Sequence, residues 1–102
     1  MNIEIYQKIK KIKKEYESDG FYILGIFGSF ARGEENTESD IDILYDVSSD
    51  FRQKYRGFKY FGRITDIKTE IEKKMKREVD LAFAGGLNKV GKKYILNGVT
   101  YV

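Results

Sequence analysis

Neither cysteine nor histidine occurs among the 102 residues of this chain. Disulfide frameworks, zinc sites of the usual nitrogen and sulfur type, thiol or imidazole nucleophiles and Ser-His-Asp triads are thereby excluded. A chain without thiols also fits a reducing cytosol. Proline is absent too, and no repeat or low-complexity stretch marks a linker between domains. No apolar run approaches the ~20 residues that cross a bilayer. Met1-Asn2-Ile3-Glu4 leads directly into a charged helical pattern rather than a signal peptide. A net charge of +3 is too small to argue for direct nucleic-acid binding. The expectation is a cytoplasmic protein without membrane association, folded as one domain over residues 1–102.

What is present suffices for a modest core. A chain of this length can bury roughly two-thirds of its unfolded surface, and 41% hydrophobic with 15% aromatic residues places it far from disordered compositions. From about Ile3 to Ser18, Ile5, Ile9, Ile12 and Tyr16 recur at helical spacing, with Lys8, Lys10, Lys11, Lys13 and Lys14 around the remainder. From about Tyr60 to Lys76, Ile64, Ile67, Ile71 and Met75 repeat the pattern. Both read as amphipathic helices laid on a sheet, their charges as solvated faces.

The strands carry the chemistry. Phe21 to Phe27 is an apolar run suited to a buried strand, ended by Gly28-Ser29 and a short helical turn through Phe30, Ala31 and Arg32. Glycine permits close backbone approach to a phosphate; N–H groups at the start of that turn, with the Ser29 hydroxyl and the Arg32 cation, could cradle a triphosphate. Ser39-Asp40-Ile41-Asp42-Ile43 follows. On a strand, side chains two apart share a face, so Asp40 and Asp42 project together while Ile41 and Ile43 face the core. Paired carboxylates repel and are most easily kept ionised by a hard divalent cation, Mg²⁺ or Mn²⁺. Glu78-Val79-Asp80-Leu81-Ala82-Phe83 reads as another strand with a lone acid between apolar neighbours. Were it adjacent, Asp80 would complete a three-carboxylate cluster able to serve two metal ions.

Taken singly, each motif has an ordinary explanation: a strand-to-helix turn, an acidic strand edge, an acid paired to one of many cations. Their order along the chain argues otherwise. G-S-F-A-R-G, S-D-I-D-I and V-D-L together resemble the minimal nucleotidyltransferases of the DNA polymerase β superfamily. That resemblance implies an α+β fold with a small mixed sheet flanked by helices, and an ATP substrate held at Gly28 and Ser29 with Arg32 nearby. It further implies two Mg²⁺ ions on Asp40 and Asp42, and Asp80 as third ligand and activator of the acceptor hydroxyl. The tail from Leu87 to Val102, with its Asn97-Gly98 break, is similar to that family's final helix and strand. Minimal members are commonly antitoxins that transfer AMP to a tyrosine of a partner toxin, a ribonuclease with a HEPN domain. Lacking histidine, this chain can only be the transferase half of such a pair. A transferase acting on a small aminoglycoside-type alcohol and a non-catalytic toxin-binding module are the alternatives.

One segment stays open. Residues 48–63 mix Phe51, Tyr55, Phe58, Tyr60 and Phe61 with Arg52, Lys54, Arg56, Lys59 and Arg63, a composition that could stack on an adenine ring, guide an acidic partner or be a loop pinned by its aromatics. Part of it is expected to border the nucleotide cleft.

Overall fold

The computed structural model describes residues 2–33, 40–86 and 98–102. Along the chain come helix α1 (Ile3–Glu17), strand β1 (Phe21–Phe27), a short helix α2 (Ser29–Arg32), strand β2 (Ile41–Val47), helices α3 (Ser49–Lys54) and α4 (Phe58–Met75), strand β3 (Val79–Phe83), a 3₁₀ turn at Ala84–Gly86, and strand β4 (Thr100–Tyr101). Ser39, the acidic positions 34 and 35, and the expected helix after Leu87 lie outside the described residues.

Local chemistry explains the boundaries. Asn2 caps α1, its side-chain oxygen accepting from the backbone N–H groups of Glu4 and Ile5 at 2.9 and 3.2 Å. Ser48 caps α3 in the same way, accepting from Phe51 N–H at 3.1 Å. Between α3 and α4 the chain reverses at Gly57 (φ 60°, ψ −128°), a conformation that side-chain-bearing residues seldom adopt.

Among the described residues the strands form one mixed sheet of order β3-β2-β1-β4. β1 runs antiparallel to β2 and β4, whereas β2 and β3 are parallel, their crossover being carried by α3 and α4, as a parallel pair demands. One face of the sheet is covered by helices. Ile9, Ile12 and Tyr16 of α1 and Ile67, Ile71 and Met75 of α4 join Phe21, Ile23, Ile41, Ile43, Tyr45 and Val79 in the buried cluster. Ile5 and Ile64, which share the expected stripes, are only partly buried against it. The α+β expectation therefore holds.

Two features depart from the reading of the sequence. Phe21 to Phe27 is not a regular strand: its pairing with β2 jumps from Ile23↔Tyr45 to Gly25↔Leu44. This bulge inserts one residue and re-phases the strand, so that Ile23 and Ile26 both reach the core although three residues apart. Gly25 at the bulge also lets β4 approach, since a Cβ there would stand 2.6 Å from the Thr100 carbonyl oxygen. The segment 48–63, in turn, is largely helical rather than looped. Phe51 is fully buried among Phe21, Tyr55 and Tyr60.

Candidate active site

The face of the sheet opposite the helices carries the acids. In β2, Asp42 alternates with core residues Ile41 and Ile43 and so points away from them. In β3, Asp80 alternates in the same way with Val79 and Leu81. The parallel register sets Asp42 level with Asp80, on neighbouring strands about 4.8 Å apart. The adjacency inferred for Asp80 is realised. Asp40 stands just before β2, where Ile41 N–H donates to the Glu78 carbonyl at 3.0 Å and locks the two strands together at their first residues.

Gly28 closes the group from β1. Phe27 pairs with Asp42, and the chain leaves the sheet at Gly28 with φ 75° and ψ −150°, a region open essentially to glycine alone. A Cβ built there would lie 2.1 Å from Asp42 Oδ2. The backbone at this turn therefore touches the carboxylate directly, and only a missing side chain makes that possible. Helix α2 follows at once, with Ser29 as its first residue and Arg32 N–H donating to the Gly28 carbonyl at 3.1 Å. Phe30 anchors it in the core at 1% exposure. Gly33, left-handed at φ 72°, ends it.

The charges respond to this crowding. Burial, then the negative charges of Asp80 and Asp40, push the Asp42 carboxyl above its ordinary range, with Arg32 opposing them. In its protonated form Asp42 is further favoured by a hydrogen bond to Asp80. Asp40, Asp80 and Arg32 thus all lie within electrostatic reach of Asp42. Among the described residues no set of three carboxylates is drawn into a cation-ligating arrangement. An all-oxygen, anionic group whose central member resists ionisation fits a hard divalent cation, which would relieve that repulsion.

Arg77 is a neighbour of the site that the sequence did not flag. Its guanidinium lies 5.0 Å from the centre of the Phe30 ring, joining the entrance of β3 to the helix behind the glycine turn. Nothing in the run Lys76-Arg77-Glu78 distinguishes such a residue from a solvated cation. Within segment 48–63, Phe51 packs tilted against Phe21 and the Tyr60 hydroxyl meets that of Tyr45 at 3.4 Å.

The structure thus folds a glycine turn against a strand-borne acid, Asp42, and sets Asp80 level with it on the neighbouring strand. The family model "Polymerase beta, Nucleotidyltransferase" matches residues 7–100, and the chain belongs to that family. A protein of Methanocaldococcus jannaschii named "Putative protein adenylyltransferase" is 33% identical over 97% of this chain and 92% of its own length. "Protein adenylyltransferase MntA" of Thermococcus cleftensis is 30% identical over 97% and 93%. A solved structure described as a "putative minimal nucleotidyltransferase" superposes with a TM-score of 0.74 at 22% identity, covering 100% of this chain and 97% of the other. That likeness bears on the fold.

Proposed function

We propose that this nucleotidyltransferase moves AMP from ATP to a hydroxyl of another protein, using divalent metal held by Asp40, Asp42 and Asp80. The observation that carries the reading is the register of β2 and β3, which sets Asp42 beside Asp80 while Gly28 backs onto the same carboxylate. Two relatives that match this chain over nearly its whole length bear the name protein adenylyltransferase, which supports a protein acceptor.

In this reading the Gly28 backbone and Ser29 hold the phosphates, and Arg32 faces their charge. Bound Mg²⁺ supplies neutralisation of the charge that develops on the triphosphate. Asp80, the most exposed of the three acids, sits where an acceptor can reach it and takes the hydroxyl proton. The acceptor oxygen bonds to the α-phosphorus, the bond from that phosphorus to the bridging oxygen breaks, and pyrophosphate leaves. Following the family resemblance, the acceptor is a tyrosine of a HEPN-domain ribonuclease toxin, which the modification silences, making this chain an antitoxin.

Intact-mass spectrometry tests this. The protein is incubated with Mg²⁺, ATP and the product of its neighbouring reading frame, beside an Asp40→Ala/Asp42→Ala control. A gain of one or more AMP masses on the partner, absent in the control, is the expected result. A tight complex whose masses never change would instead make the chain a non-catalytic binding module.

A further inference from the structure

An apolar groove of about 550 Å³ lies on the helix-covered side of the molecule, between the α3–α4 reversal and the end of β3. Its walls are Tyr55, Tyr60, Phe61 and Phe83, with Arg52 and Arg56 at the edge. The Arg52 guanidinium sits 5.3 Å from the centre of the Phe83 ring. Beside the groove, Phe58 is 95% exposed and Phe61 69% exposed, one turn apart on α4. Two phenyl rings held in water on a rigid helix mark a surface built to be covered.

The groove is distinct from the acidic centre. Phe83 stands three residues beyond Asp80 in β3, about 10 Å along the strand, and points to the opposite face. Its rim is basic. Lys54 and Arg63 are engaged by Asp19 at 3.0 and 3.2 Å, whereas Arg52, Arg56 and Lys59 are exposed around the aromatics. Aromatic and arginine anchors about an apolar centre with a charged rim are the composition of protein interface hot spots.

We propose that this groove is the docking surface for the protein acceptor, and that the acceptor presents an acidic surface carrying an apolar or aromatic side chain. The inference rests on the protein-transfer reading above and assigns where the acceptor is held. Charge complementarity sets the acidic character, and the concave apolar floor sets the anchor. The ring arrangement disfavours RNA: Tyr60 meets Phe61 at 86° and Phe51 at 88°, so the rings brace one another edge to face instead of offering parallel platforms for successive bases. Docking at a distance from the chemistry suits a chain of 102 residues, because binding energy gathered there can orient a hydroxyl at the acids.

The test uses the whole chain, with Phe58→Ser/Phe61→Ser and Arg52→Glu/Arg56→Glu as separate variants. Each is titrated calorimetrically against the product of the neighbouring reading frame, against Mg²⁺-ATP and against a short single-stranded RNA, and its self-association is followed by sedimentation. Both variants are expected to bind the protein about tenfold or more weakly while Mg²⁺-ATP affinity is unchanged. Unaltered protein affinity in both variants, or no binding by the wild type, overturns the proposal. So does RNA binding that both variants lose, or a wild-type dimer that both variants dissolve. If the wild type docks through this face yet the partner's mass never changes, docking stands and the transfer reading falls. If AMP is transferred and the variants leave the KM for the acceptor untouched, transfer stands and docking falls.

Discussion

Asp19 and Asp42 are both partly shielded carboxylates beside the sheet, yet the fold treats them in opposite ways. Burial alone would raise Asp19, but hydrogen bonds from Lys54, Arg63 and Tyr55 outweigh it and hold its carboxyl below the ordinary range. Asp42 faces two other acids, and burial and repulsion together raise it. The first is surrounded by what it needs to be an anion. The second is surrounded by what makes anionhood costly, with Arg32 opposing. A group left uncompensated in this way is a candidate for completion by a ligand, which supports the role proposed for Asp42.

The comparison can be broken at Asp42 with the largest effect. Asp42→Asn should lower nucleotidyl transfer by about a thousandfold or more, since several kcal/mol of charge stabilisation would be lost at 1.36 kcal/mol per decade. It should nevertheless raise the melting temperature of the metal-free protein near neutral pH. The sign follows from linkage: an acid whose folded pKa is raised binds more protons folded than unfolded, so its penalty applies above that pKa and fades as pH falls through it. Turnover and thermal unfolding with and without Mg²⁺ check both halves. An Asp42→Asn protein less stable than wild type without metal would remove the contrast.

Gly28→Ala should act next most strongly. Positive φ with ψ near −150° and a Cβ 2.1 Å from Asp42 Oδ2 predict a loss of about 1–3 kcal/mol in stability and a large fall in transfer. The alanine should cost less when Asp42 is also alanine, because the clashing oxygens are gone. A double-mutant cycle measured by denaturant unfolding reads that coupling. Additive costs would place the strain in the backbone alone.

The smallest effect sharpens the other side. Asp19→Asn should cost about 1–2 kcal/mol, the range of hydrogen bonds to a charged group reduced for partial solvent screening, and leave turnover per folded molecule unchanged. Asp19 has a depressed pKa, so its stabilisation is present above the unfolded value of 3.8 and is lost as pH falls below it. Acid titration of unfolding free energy should show the wild-type advantage shrinking below about pH 4. A constant difference would mean that packing, not charge, makes Asp19 useful.

Much of this contrast was legible in the residues, for definite reasons. Asp80 taken alone has an ordinary explanation, and what marked it was its place after the glycine turn and the Asp40-Asp42 pair; its neighbours Val79 and Leu81 do pack into or against the core. Helical stripes announce themselves because water is excluded from one side over several turns. Asp19 was not legible, since its partners are 35, 36 and 44 residues away and nothing local marks the meeting. Nor was the bulge at Gly25, where a one-residue shift leaves the composition unchanged. The helix α3 was signalled by Ser48 as a cap, but the mixture of rings and cations after it masked the cue. The groove those rings build arises only once Gly57 reverses the chain onto Phe83.

The parallel pairing of β2 and β3 has a consequence for how the molecule comes into being. Asp42 and Asp80 are brought level by strands joined through two helices, and such a distant pairing bears a large closure entropy and forms slowly. The acid pair is therefore absent from a growing or half-assembled chain and arises together with the finished sheet. Whatever chemistry the pair supports therefore requires the finished sheet.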